Sequence, residues 1–460
     1  HFALSAEQIA ALWKLAISAE QVLDGRRGLD IEWVWDDHGP WFVQARPIVH
    51  RDDLASASDP TILQLIEFSK SDPSQLWRLD ATHNPLPLSP AQAGLVRAVR
   101  DLAPYDMRVV GGYLYTSSNL QAPTPARKPM SPLELRALFE QTLEPRMNAA
   151  LQAVEAEELP SLSNALAAYR EVFRCYTEEL APAIALADQG EGGANPLHRW
   201  LRRARRGELS LAALLQAVAP MAPAWDVAVP SYGETPEIVE RALALTPDSE
   251  ASEPELEDSL SEADDLLFYR AQHLVRRALL ALASRFGVGE AIFFMPFAKL
   301  LESENQDVLD PSLLPLAREA QATQVEQRGV EMPLAFIAGE ALPTRLPPKG
   351  EIWRGIGTGG YAHGRVVRVA RLAEFPMIYP EDEAILIMPT VSPAHALAAR
   401  GALAIVCEYG DHLGHGAAMA RELGIPCIVN CKRAWRELRS GDTVAIHGSA
   451  GLVARTNKND

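Results

Sequence analysis

One segment near the C-terminus constrains the local fold more than any other part of the chain. The apolar run Ala402–Val406 predicts a buried strand. Residues 417–423 are strong helix formers, and the G-I-P that follows them predicts where the helix ends. Cys427–Val429 predicts a second strand. We therefore expect a strand–loop–helix–strand unit in which His415 stands at the start of the helix.

A histidine at the start of a helix is well placed for phosphate chemistry. The first turn leaves backbone N–H groups unpaired and carries partial positive charge, so it favours an anion. A neutral imidazole can attack phosphorus, hold a phosphoryl group and pass it on. Glu408 or Asp411 could orient such a ring, or repel the phosphate after transfer. The alternatives are that His415 is a structural loop histidine or that the nearby His412 is the reactive one.

The same segment resembles the phosphohistidine motif of enzymes that use or make phosphoenolpyruvate, T-x-G-G-x-x-S-H-A-A-x-x-A-R-E-L-G-I-P. Gly410, His415 and the run A-R-E-L-G-I-P match at the family's spacing. A glycine, a serine and an alanine of the pattern are replaced by Asp411, Gly414 and Gly416. The resemblance implies that His415 carries the phosphoryl group. It also implies a set of residues that support the ring or the phosphate: Glu408, Gly410, Asp411, Gly416 and Arg421.

A second pattern, D-I-E-W…F-V-Q-A-R-P-I, lies within residues 30–48. It predicts two strands joined by a turn at 37–40. It resembles the end of the ATP-grasp nucleotide-binding domain of the same enzymes. The resemblance implies that Glu32 binds Mg²⁺ and that Gln44 and Arg46 contact nucleotide phosphates, which suits carboxylate and guanidinium chemistry. The alternative is an ordinary hairpin with charged residues facing water.

The organisation that follows is multidomain α+β. Residues 1–50 are expected to be the C-terminal end of an ATP-grasp domain, present here as a partial hairpin, with an upstream ATP-grasp half in cis or as a separate chain. That half would supply most of the site for ATP and Mg²⁺. Residues 61–341 are expected to form a mainly helical acceptor domain, and residues 350–456 a swivelling β/β/α phosphohistidine domain. Helices are predicted over 132–157, 161–186, 196–205, 209–218, 235–245 and 257–286.

Composition limits the classes of partner and compartment. A net charge of −17 argues against nucleic acid and anionic membranes as partners. No apolar run reaches the length of a membrane span, and no signal peptide is evident. The four cysteines show neither metal-site spacing nor a disulfide framework. Buried thiols in a reducing cytoplasm are therefore expected.

The middle of the chain offers weaker candidates. His83 and Asn84, beside the proline-rich run 85–90, could contact an acceptor or could cap a turn. Arg276 and Arg277 could guide a phosphoryl group, or could form salt bridges with Glu262, Asp264 or their neighbours. A helical region with an apolar crevice would suit an apolar small-molecule acceptor.

The domain order resembles that of rifampicin phosphotransferase-like enzymes, because no pyruvate-binding barrel follows the histidine segment. The resemblance implies a dikinase-type phosphotransferase that moves phosphate from ATP through His415 to a small-molecule acceptor, releasing AMP and phosphate, as in antibiotic phosphorylation. Two alternatives stay open. One is an ATP-dependent condensing or ligating enzyme of natural-product biosynthesis that uses the same relay, and the other is a non-catalytic relic.

Overall fold

The structure is a computed structural model, and it contains both helices and sheets, as a multidomain α+β chain should. The residues that it describes are 29–36, 39–47, 75–81, 83–119, 130–184, 196–246, 260–328, 332–337, 340–341, 352–369, 382–391, 395, 399–410 and 415–456.

Strands and helices alternate unevenly along the chain. The strands are β1 Leu29–Asp36, β2 Gly39–Pro47, β3 Gln75–Leu79, β4 Met107–Val110, β5 Tyr113–Asn119, β6 Ala335–Ile337, β7 Glu340–Ala341, β8 Ile352–Arg354, β9 Ile356–Thr358, β10 Tyr361–Arg368, β11 Ala384–Met388, β12 Ala404–Cys407, β13 Cys427–Val429, β14 Thr443–His447 and β15 Leu452–Arg455. The helices are α1 Pro90–Val99, α2 Pro132–Leu138, α3 Glu144–Glu155, α4 Leu162–Cys175, α5 Ala181–Ile184, α6 Pro196–Arg205, α7 Leu211–Val218, α8 Pro236–Ala244, α9 Leu260–Phe286, α10 Phe297–Gln306, α11 Leu313–Gln327, α12 His415–Leu423 and α13 Ala434–Glu437.

The N-terminal pair β1 and β2 is antiparallel, as the sequence predicted. Its register sets Glu32 opposite Gln44 and Asp30 opposite Arg46, with an irregularity after Glu32. Alternate residues of a strand share a face, so the three positions chosen from the sequence lie on one face of this two-stranded sheet.

The middle region combines helices with an antiparallel sheet of order β4-β5-β3-β6-β7. Several helices start after a serine whose hydroxyl oxygen accepts a backbone N–H bond, and these serines are Ser89, Ser131, Ser161 and Ser210. The long helix α9 supplies core residues such as Leu274 and Leu279, both fully buried. The six predicted helices are confirmed to within a few residues at their ends, two of them continuing through π-helical turns.

Several elements of this region were not predicted from the sequence, among them α10, α11, β6 and β7. Helix α11 exposes Leu316 and Val325, so its apolar residues do not follow one face. The two strands are three and two residues long, too short to show an alternating pattern. The mainly helical region therefore also contains a sheet that local patterns only partly reveal.

The C-terminal region is an eight-stranded sheet of order β8-β15-β14-β10-β11-β12-β13-β9. Strands β10, β11, β12 and β13 are parallel neighbours, and the outer strands pair antiparallel. Helix α12 packs against one face through Met419 and Ala420, and α13 against the other through Ala434 and Trp435. Parallel strands end at one edge, so the segments that follow β10, β11, β12 and β13 lie together there.

The middle and C-terminal regions share buried surface. Leu214 and Val239, from α7 and α8, belong to the same apolar cluster as Leu386 and Met419. On the other side Tyr409, which follows β12, packs with aromatic residues of the five-stranded sheet, namely Trp77, Tyr113 and Tyr115. The edge of the C-terminal sheet that carries the histidine segment therefore faces the middle region.

Candidate functional site

The backbone around His415 follows the predicted plan. Strand β12 is fully buried, and helix α12 begins at His415. The helix ends at Leu423 and is followed by Gly424, whose φ of +67° is the left-handed conformation that glycine adopts at low cost. Strand β13 then runs parallel to β12. Residues 411–414, which include Asp411, His412 and Gly414, lie outside the described residues, and so does the His415 side chain.

The start of α12 lies against two neighbouring strand ends. A Cβ built on Gly416 would come 3.4 Å from the Cβ of Val391, which follows β11, and 3.5 Å from Cγ1 of Val429 in β13. Both are ordinary van der Waals distances. The family alanine would therefore fit at this position. His415 thus stands beside the segment 389–391 at the edge of the sheet.

Gly410 lies in the loop that leads to His415, and its φ is +123°. A side chain at this position would be strained whatever the space around it. The glycine of the motif is therefore required by the backbone path of the loop. No contact with phosphate is needed to explain it.

Glu408 is buried and its carboxylate already has a cationic partner. Arg436 donates from Nε to Glu408 Oε1 at 3.0 Å. Lys432 donates from Nζ to the Glu408 backbone oxygen at 3.1 Å and lies 4.3 Å from the centre of the Tyr409 ring. Burial lowers the pKa of Lys432 to about 8. These two cations follow β13, and no motif pointed to them.

Arg421 lies in the last turn of α12 and is exposed. It stands six positions after His415 in the helix, a rise of about 9 Å. A cation at the C-terminal end complements the helix dipole. A role at the phosphate stays a prediction.

A cavity of about 200 Å³ lies between the middle region and the C-terminal sheet. The proline-rich run supplies one wall, including Leu86 and Leu88, and Phe293 and Phe294 supply another. The C-terminal region contributes residues that follow β10 and β11: Val369, Pro389, Thr390 and His395. The cavity therefore adjoins the same sheet edge as His415.

His83 and Asn84 line this cavity and also form a turn. His83 Nδ1 lies 2.8 Å from Asp80 Oδ1, and Asn84 donates from Nδ2 to Asp80 Oδ2 at 2.8 Å. The Asp80 carboxylate raises the pKa of His83 to about 9. The sequence posed turn formation and ligand contact as alternatives, but the geometry is compatible with both.

Arg276 and Arg277 have structural partners. Arg276 donates to both oxygens of Glu234, at 2.7 and 2.8 Å, and to the Val227 backbone oxygen at 2.7 Å. Arg277 donates to the backbone oxygen of Glu157 at 2.9 Å. The salt-bridge interpretation therefore describes Arg276, with Glu234 as its partner rather than the residues of its own helix.

Asp226 and His395 are cavity residues that sequence reasoning missed. Asp226 accepts from the Ser89 backbone N–H at 2.7 Å, from Ser89 Oγ at 2.6 Å and from the Ala228 N–H at 2.9 Å. His395 is 7% exposed. An isolated aspartate or histidine carries no local signal, so only the fold brings these two to one cavity.

The expectation of buried cysteines is confirmed. All four cysteines are buried and unpaired. Among the helices that the structure describes, none has the length and apolarity to cross a bilayer. The same described residues hold no cluster of three acidic, histidine or cysteine side chains arranged to bind a metal.

Comparison with known proteins agrees with this geometry. Residues 380–451 match the family described as "PEP-utilising enzyme, mobile domain". Phosphoenolpyruvate synthase of Pyrococcus furiosus is 37% identical over 103 residues, 22% of this chain and 12% of that protein. An uncharacterized protein of Mycobacterium tuberculosis is 30% identical over 151 residues, 32% of this chain and 17% of that protein. The uncharacterized phosphotransferase YvkC of Bacillus subtilis is 29% identical over 117 residues, 25% of this chain and 14% of that protein.

The C-terminal sheet with its histidine helix therefore resembles the mobile domain of PEP-utilising enzymes over residues 380–451. Within this segment the chain is similar to enzymes that use phosphoenolpyruvate. The matched segments span less than a fifth of the length of these relatives.

Proposed function

We propose that this chain forms part of an ATP-dependent phosphotransferase in which His415 carries the phosphoryl group from ATP to a small-molecule acceptor. One observation carries the proposal. His415 begins helix α12 at the edge where the parallel strands end, inside the segment that matches the mobile domain. An imidazole at that position meets the unpaired N–H groups and positive dipole end of the helix.

The adjoining cavity supports a transfer to an apolar acceptor. It lies between the two regions, and its walls are mostly apolar, with five prolines, two leucines and two phenylalanines among the lining residues. In this arrangement the His415 imidazole takes the phosphoryl group at a nucleotide pocket. It then delivers the group to an acceptor bound in this cavity. In this scheme phosphate leaves a ring nitrogen of His415 as the acceptor oxygen bonds to phosphorus.

The strand pair β1–β2 supports the nucleotide side of the proposal. Glu32, Gln44 and Arg46 occupy positions on one face of the pair, and their side-chain types suit Mg²⁺ and phosphate oxygens. Bound Mg²⁺ would neutralise the phosphate charge of ATP. An upstream ATP-grasp half, in cis or as a separate chain, would complete this site.

Isotope transfer tests the proposal. The full-length enzyme is incubated with Mg²⁺ and ATP labelled at either the β- or the γ-phosphate. Dikinase chemistry places the β-label on the protein in an acid-labile bond and releases the γ-label as inorganic phosphate. His415→Ala should abolish β-labelling, whereas the matched variant His412→Ala should keep it. Undiminished β-labelling of His415→Ala would refute the assignment.

A further inference from the structure

The cavity is small, and its size restricts what it can hold. A cavity of about 150 Å³ lined by aliphatic and aromatic residues accommodates benzene. Drug-sized ligands need roughly 300–1,000 Å³. A volume of about 200 Å³ therefore suits one six-membered ring with a small substituent, and it is far too small for a macrocyclic antibiotic.

Hydrogen bonds join the walls that the middle region supplies, so that side of the cavity should keep its shape. Gln324 donates from Nε2 to the Pro87 backbone oxygen at 2.9 Å. Gln92 Oε1 accepts from the Val227 N–H at 3.1 Å, and Arg276 holds the Val227 oxygen. Ser89 joins the proline-rich run to Asp226. Buried hydrogen bonds of this kind preorganise a site and resist expansion.

The apolar walls favour a ring. Phe293 and Phe294 face the cavity together with Leu86 and Val229. Aromatic side chains gain from offset or edge-on contact with another ring beyond the area that is buried. An open-chain polar acceptor would leave these walls without partners.

The charges around the cavity disfavour an anion. Asp226 and Glu290 line it, and Asp264 and Asp265 act electrostatically on His83 together with Asp80. The imidazoles of His83 and His395 are outnumbered by these five carboxylates, which leaves an electronegative site. A carboxylate ligand would be repelled there, while a neutral hydroxyl would not.

We propose, building on the phosphotransfer described above, that the acceptor is an uncharged alcohol or phenol about one ring in size. Its ring lies against Phe293 and Phe294, and its hydroxyl lies at the end of the cavity formed by Thr390 and His395. The hydroxyl oxygen bonds to phosphorus as the bond between phosphorus and the His415 nitrogen breaks. The hydroxyl proton ends on that nitrogen, so the products are a phosphate monoester and neutral histidine.

Three probe compounds test the size and charge of this site on the unsubstituted chain by ligand-observed NMR titration. Benzyl alcohol should bind saturably. Benzoate, nearly the same size but anionic, should bind at least about fivefold more weakly. Rifampicin should not compete with benzyl alcohol. Absence of saturable benzyl alcohol binding, equal or tighter benzoate binding, or competition by rifampicin would each overturn the inference.

A substitution that fills the cavity tests whether benzyl alcohol binds there. Ala224 lines the cavity, whereas Ala149 is exposed on α3. Ala224→Trp should weaken benzyl alcohol binding at least about tenfold, because close-packed walls leave no room for both. Ala149→Trp should change it less than about twofold, since an exposed site does not touch the cavity. Equal affinities in the two variants would place the probe elsewhere and overturn the inference.

These outcomes separate the inference from the proposed function. Probe binding needs no phosphate on His415. If His415 takes the label but benzyl alcohol does not bind, only the proposed class of acceptor is refuted. If benzyl alcohol binds but His415 never takes the label, the proposed phosphotransfer is refuted instead. The probe comparison uses the unsubstituted chain and stands even if Ala224→Trp fails to fold.

Discussion

Removal of the Arg276 guanidinium should be among the most damaging single changes in the middle region. Arg276 is 7% exposed, while Glu234 is 35% exposed. Its three hydrogen bonds join α9 to the loops that carry Glu234 and Val227, and its guanidinium lies 4.7 Å from the centre of the Phe293 ring. Arg276→Met keeps the apolar stem and removes the charge together with every bond.

The expected cost follows from those contacts. Breaking a buried ion pair costs about 3–5 kcal/mol. Water can reach the freed Glu234 carboxylate, which moves the value towards the lower end. The freed Val227 oxygen adds a loss that depends on how well water reaches it. We therefore expect Arg276→Met to lower the free energy of unfolding by about 3 kcal/mol.

The neighbouring arginine is a matched control. Arg277 is held by backbone oxygens of residues 157 and 158, without an ion pair among its hydrogen bonds to described residues. Arg277→Met should cost about 1 kcal/mol. Urea denaturation followed by far-UV circular dichroism compares the two variants, because the middle region holds most of the helix. Equal losses in the two variants would refute the reasoning, as would a loss below about 1 kcal/mol for Arg276→Met.

Two further changes test other parts of the structure. Gly416→Ala should raise the free energy of unfolding by about 0.5 kcal/mol, because alanine favours the helix and its Cβ has ordinary space there. Gly424→Ala should lower the free energy of unfolding by about 1 kcal/mol, because φ is positive at this position. Urea denaturation midpoints that move in the same direction in the two variants would contradict this. Asp80→Asn should lower the His83 pKa from about 9 towards 6.5, read from its imidazole proton shifts by NMR. The raised pKa means that the Asp80–His83 pair stabilises the fold below pH 6.5 and that this contribution disappears as the pH rises through about 9, so an unchanged pH profile in the variant would count against the pair.

The histidine segment shows how far local patterns reach. Each pattern in this segment determines the backbone only near itself. The patterns are the apolar run before His415, the helix formers after it and the terminal glycine. Strand β12, helix α12 and strand β13 therefore appear where those patterns placed them. The hairpin β1–β2 and the six long helices follow from the same kind of information.

Local sequence patterns could not predict the cavity. Asp226, His395 and Phe293 come from distant parts of the chain, and each has an unremarkable local sequence. Arg276 illustrates the same limit. Its basic character was plain from the sequence, but its partner Glu234 is 42 residues away. Which groups meet depends on how helices and strands pack, and that depends on the whole core.

Local chemistry in the amino-acid order was enough to place His415 at the start of its helix, because hydrogen bonding, chain stiffness and apolar spacing act over a few residues. Packing alone decided that Glu408 pairs with Arg436 and that a ring-sized cavity adjoins the histidine edge. The physical reason is that burial and charge pairing depend on distances in space, and residues far apart in the chain approach each other only when the sheets and helices assemble.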